Sequence, residues 1–96
     1  MSEVNPKRCK EVAEILKNLA HTERLMILCF LSEKSRNVNE LSELTGCSQS
    51  AVSQFVNKMR IQGILSSERE GRFVNYKISD PKIMKLMEAL HGIFGS

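Results

Sequence analysis

The chain has 96 residues, 42% of them hydrophobic and 26% charged, with a net charge of +3 and a pI near 8.9. That is enough for one small domain with a single modest core. No apolar run approaches the roughly 18–20 residues of a membrane span, and the polar start "MSEVNPKRCK" is unlike a secretory signal, so a cytoplasmic protein is expected.

Residues 5–20 read as a helix, with Pro6 in its first turn and Val12, Ile15, Leu16 and Leu19 forming one stripe. Residues 22–33 form a second helix, starting at His21 or Thr22. Its "LMILCFL" is apolar on nearly every face, which predicts burial all round. "SEKSRN" reads as a polar loop. Residues 38–45 are a short helix on Val38, Leu41 and Leu44, and Gly46 ends it in the left-handed conformation. Ser48 caps a fourth helix, 48–62, whose core face is Val52, Val56 and Met59 and which Gly63 ends. Two helices joined by a short glycine turn make a helix-turn-helix over 38–62.

Residues 64–79 read as a β-hairpin. Val74, Tyr76 and Ile78 alternate with polar residues, and "REGR" turns at Gly71. Asp80 then caps a last helix, 80–94, with Pro81 at its first position and a stripe from Ile83, Leu86, Met87, Leu90, Ile93 and Phe94. The order α-α-α-α-β-β-α is mainly α with a β-hairpin wing: a winged helix-turn-helix in one domain over 1–96. The stripes of 5–20 and 80–94 exceed what so small a core can cover, which predicts a homodimer through these terminal helices.

The fourth helix carries the chemistry. Ser48, Gln49, Ser50, Ser53, Gln54, Lys58 and Arg60 crowd onto it, although serine is a poor choice for a helix surface. Glutamine can bond an adenine edge bidentately, serines are short enough to reach phosphates, and the cations suit the backbone. Residues 47–79 hold Lys58, Arg60, Arg69, Arg72 and Lys77 against Glu68 and Glu70, an excess equal to that of the whole chain. Such a local excess is the footprint of phosphate binding. Arg69 and Arg72 flank the hairpin tip, where they could lie over a minor groove or its phosphates. The plain alternatives are a solvated polar face and a solvated turn with internal ion pairs.

The stretches "LKNLAHTERLMILCFL", "VNELSELTGCSQSAVSQFVNKMRIQGIL" and "REGRFVNYKIS" together resemble the ArsR/SmtB family of winged-helix repressors, over residues 8–94. The resemblance implies a homodimeric transcriptional repressor. With no Gly-rich phosphate loop and no Ser/His/Asp or Cys/His set, no enzyme is expected, and a dimer is expected to read a palindromic operator in double-stranded DNA. The resemblance also implies recognition residues at Gln49, Ser50, Ser53 and Gln54, a wing at 69–76, and release from DNA by a signal. Phe55 and Thr22 depart from the histidine and proline common there; Phe55 could pack inward or touch a thymine methyl.

The arsenic and cadmium sensors of the family carry Cys-x-Cys where this chain has Asn37 and Asn39, and an amide cannot replace a thiolate. Zinc and nickel sensors of the family use Asp and His ligands in the last helix; here that helix has Asp80, Glu88 and His91, but Lys82 and Ile93 fall where ligands would be wanted. No metal site and no cofactor is expected. "RLMILCFL" resembles the HlyU- and BigR-like subgroup, which implies thiol oxidation or reactive sulfur as the candidate signal at Cys29. Gly95 stands where that subgroup has a second cysteine, and Cys9 is the candidate substitute. A buried Cys29 should be inert, and Cys47, in the helix-turn-helix turn, should be the most accessible thiol. Two other readings stay open: a winged helix used for protein contacts, and a sensorless repressor cleared by a partner protein.

Overall fold

The computed structural model describes residues 3–95. Its order is α1 (Pro6–Leu19), α2 (Thr22–Glu33), β1 (Arg36–Asn37), α3 (Val38–Thr45), α4 (Gln49–Ile61), β2 (Leu65–Glu70), β3 (Phe73–Ile78) and α5 (Pro81–Phe94). The helices start where their caps dictate. The Asn5 side chain accepts from the Lys7 and Arg8 amides, Ser48 accepts from Ala51, and Asp80 accepts from Lys82. His21 precedes α2 without a side-chain cap, and Thr22 takes the first helical position, where proline would also fit.

The expected polar loop before α3 contains a strand. β1 pairs antiparallel with β3 through Arg36↔Tyr76 and Asn37↔Asn75, giving a three-stranded sheet in the order β1-β3-β2. Two residues have no periodicity to read, so only the pairing reveals them. Arg36 secures the strand to α2: its Nε donates to the Phe30 carbonyl at 3.1 Å and its Nη2 meets Glu33 Oε1 at 2.8 Å.

The core gathers Ile27, Leu28 and Leu31 of α2, Leu41 of α3, Val52, Val56 and Met59 of α4, and Ile83 and Met87 of α5. Burial of α2 is one-sided rather than complete. Cys29 and Glu33 lie on its exposed face, because no element among the described residues covers that side.

The terminal helices keep apolar surface open. Val12 and Leu16 on α1 are 43% and 48% exposed, and Ile93 and Phe94 on α5 are 72% and 80% exposed. No described helix is long and apolar enough to cross a membrane.

Candidate nucleic-acid interface

The turn before α4 is built by short side chains. Gly46 takes φ 77° and its N–H donates to the Ser42 carbonyl at 3.0 Å. Ser42 Oγ donates to the Cys47 carbonyl at 2.6 Å, and the Cys47 N–H donates to Thr45 Oγ at 3.2 Å. These bonds set the angle at which α4 leaves α3. Cys47, expected to be the most accessible thiol, is half-buried and packs against the core.

On α4, Val52, Val56 and Met59 are buried, so the opposite side is turned to solvent. Gln49, Ser50, Ser53, Gln54, Asn57, Lys58 and Arg60 are all exposed; helical spacing puts Ser50, Gln54 and Asn57 farthest from the buried stripe, with Gln49 and Arg60 at its edge. The predicted residues of the fourth helix are thus all open to solvent. Ser48, at its head, accepts from the Ala51 N–H at 3.1 Å, and its own hydroxyl proton remains able to donate outward. Arg60 Nη2 donates to Asn57 Oδ1 at 2.7 Å, which draws its guanidinium along the helix. Asn57, a further polar residue of this helix without an assigned DNA contact, is exposed one turn after Ser53. The first turn of α4 holds no acidic residue and its last turn holds Lys58 and Arg60, so no carboxylate faces an approaching phosphate there.

The wing is paired to its end. β2 and β3 run in register from Leu65↔Ile78 to Glu70↔Phe73. The two-residue turn has a positive φ only at Gly71 (64°), the pattern of a type II′ turn. Arg69 and Arg72 are exposed near the tip. The Arg72 guanidinium lies 5.6 Å from the centre of the Phe73 ring, and Glu70 Oε2 accepts from Asn75 Nδ2 at 3.0 Å. Among the described residues the salt bridges are Arg8–Glu11 and Arg36–Glu33, so neither wing arginine is paired with a carboxylate.

Phe55 turns inward. Its ring sits 5.3 Å from the His21 ring and 5.6 Å from Arg24 Cζ, and it packs against the core. A thymine contact is therefore not its place in this fold.

The thiols and the acidic residues lie apart. Cys9 lines a groove on α1 with Val12 and Leu16, and Cys29 is exposed on α2. Partial burial of its sulfur, and then the nearby Glu33 carboxylate, push the Cys29 thiol pKa up, which disfavours the thiolate. Cys29 is thus the reverse of the expected buried residue, yet not an activated one. Asn37 is engaged as the cap of α3, and Asp80 as the cap of α5. Among the described residues no three His, Cys, Asp or Glu side chains gather to hold a metal ion.

Residues 21–67 match the arsR family of bacterial regulatory proteins. Over 88 residues the chain is 39% identical to the biofilm growth-associated repressor of Agrobacterium fabrum, covering 92% of this chain and 75% of that protein. It is 33% identical to the transcriptional activator HlyU of Vibrio cholerae, covering 92% of this chain and 82% of that protein. The crystal structure of the transcriptional repressor BigR from Xylella fastidiosa superposes with a TM-score of 0.84 at 37% identity, covering 94% of this chain and 92% of that one. With a winged helix-turn-helix and a polar, basic face on its fourth helix, the chain belongs to the arsR family and is a DNA-binding transcriptional regulator rather than an enzyme.

Proposed function

We propose that the protein is a homodimeric cytoplasmic repressor that reads a palindromic operator. The observation that carries this is the exposed surface of α4: seven polar or basic side chains are open to solvent while Val52, Val56 and Met59 are buried. A helix of this width fits the major groove. In this reading Gln49, Ser53 and Gln54 bond base edges. Ser48, Ser50, Lys58 and Arg60 hold phosphates beside them, and Arg69 and Arg72 hold the backbone on the wing side. The open apolar surfaces of α1 and α5 support a dimer, with α1 and α5 as its two contributing helices. Two-fold symmetry then sets half-sites about one helical turn apart or slightly more.

Among the relatives one is named a repressor and another an activator. The candidate signal is thiol oxidation or reactive sulfur, with Cys29 and Cys9 as the exposed thiols.

The test is binding at fixed salt to the duplex upstream of its own gene and to a scrambled duplex, before and after peroxide, a persulfide donor and zinc. Specific binding of the untreated protein supports the DNA reading. Equal, salt-labile binding to both duplexes returns the polar helix to a protein-contact role. Loss of binding under oxidant, absent in Cys29→Ser, supports the thiol signal. Full regulation in the triple Cys→Ser variant assigns release to a partner protein.

A further inference from the structure

Arg24 has no role in the DNA contacts above, yet it is the most unusual cation in the molecule. It sits in the first turn of α2, half-buried, and its Nε is buried without a hydrogen-bond partner. Its Nη1 reaches only Asn18 Oδ1 of α1, at 3.4 Å, and among the described residues no carboxylate pairs with it. Its guanidinium instead lies over the ring of Phe55 on α4, with Cζ 5.6 Å from the centroid. Asn18 is in turn tied to its own helix by Nδ2 donating to the Glu14 carbonyl at 3.3 Å. The His21 ring touches the same Phe55, 5.3 Å away.

A leucine would fill this space without leaving a buried N–H unmatched. A flat guanidinium does something leucine cannot: it meets an aromatic face in a fixed orientation while holding a polar group to one side. The three helices α1, α2 and α4 meet at this one side chain. Phe55 lies between Gln54 and Val56 on α4, so any roll of α4 that unseats the ring also carries Gln54 off its line.

We infer that Arg24 is a positioning residue for DNA reading: it clamps Phe55 against α1 and α2 and so fixes the rotation of the helix that faces the bases. This rests on the DNA reading of α4 proposed above. Because Arg24 acts through Phe55, its removal degrades discrimination between sequences and leaves phosphate attraction intact.

The experiment starts from full-length wild-type protein and a randomised duplex pool. The tightest recovered duplex and a scrambled version are then titrated across a salt series with wild type, Arg24→Met, Arg24→Lys, Phe55→Leu and the double variant Arg24→Met/Phe55→Leu. Circular dichroism and thermal melting are run on each. Arg24→Met is expected to lose about tenfold in affinity for the selected duplex, with scrambled binding and salt slope unchanged. Arg24→Lys, which keeps a cation over the ring, is expected to recover part of that loss. The double variant is expected to lose no more than the worse single one, since both break one contact.

A parallel loss on both duplexes with a flatter salt slope overturns the inference and makes Arg24 a phosphate ligand. Unchanged discrimination, or losses that add in the double variant, overturns it as well. If Arg24→Met does not fold, Phe55→Leu and Arg24→Lys carry the same comparison. If wild type selects no duplex from the pool, the DNA reading of α4 itself fails and the inference falls with it, an outcome distinct from selection followed by insensitivity to Arg24.

Discussion

Asn37 and Glu40 cap one another: the Glu40 N–H donates to Asn37 Oδ1 at 2.9 Å, and the Asn37 N–H donates to Glu40 Oε1 at 3.0 Å. This reciprocal pair satisfies two amides at the start of α3 and joins the helix-turn-helix to β1. The resemblance to the family puts Asn37 where its arsenic and cadmium sensors are expected to carry a cysteine. Here the position has a structural task. Asn37→Ala is expected to lower stability by about 1 kcal/mol, read as a shift of the urea midpoint at constant slope. An unchanged midpoint would show that the cap contributes nothing.

In the proposed reading, base reading and backbone holding are separable. Gln54→Ala is expected to relax sequence preference by about 1–3 kcal/mol between the preferred and a mismatched duplex. Preference that survives the substitution removes Gln54 from the reading set.

Arg72→Ala is expected to weaken binding to all duplexes alike and to reduce the salt slope by about 0.9. Its guanidinium rests over Phe73, not on a carboxylate, so the loss is of a cation available to phosphate. A loss confined to one sequence contradicts that assignment.

Cys29 should ionise later than an ordinary thiol, because burial and then Glu33 raise its pKa. Alkylation of Cys29 is therefore expected to accelerate only at more alkaline pH than for the free amino acid. The linkage has a definite sign. Well below the ordinary thiol range both folded and unfolded chains are protonated and the thiol contributes nothing. As pH rises through the unfolded value, the unfolded chain ionises first and stability falls until the folded thiol also ionises. Glu33→Gln removes the like charge and is expected to speed alkylation, while also loosening the 2.8 Å contact to Arg36. Alkylation with an ordinary pH profile would remove this constraint on the thiol.

Assembly is testable by charge. Leu16→Glu and Phe94→Glu place carboxylates on the open faces of α1 and α5. Each is expected to shift the protein toward monomer in sedimentation and to weaken operator binding together with it. A dimer that tolerates both substitutions moves the interface elsewhere.

The helices were legible because their caps and stripes are local: Ser48, Asp80 and Gly46 mark ends that chain position alone explains. The polar face of α4 was legible for the same reason, as a departure from what an isolated helix prefers. β1 was not, since Arg36 and Asn37 become a strand only when Tyr76 and Asn75 arrive beside them. The exposure of Cys29 was hidden because an apolar stretch does not say which of its sides finds a neighbour. The seat of Phe55 depends on His21 and Arg24, more than 30 residues earlier in the chain, and no periodicity reports such a meeting.

The wing's ladder closes at Glu70↔Phe73, one two-residue turn from its tip. Such an arm has little backbone freedom left to lose on docking, so the entropy of ordering is confined to its side chains. Its reach and its chemistry are consequently independent. The hairpin length sets how far the tip extends, and the residues at positions 69 and 72 set what it carries there. In the proposed reading, retargeting the arm to a different groove shape needs substitutions at those two positions, with Gly71 and the paired strands kept as they are.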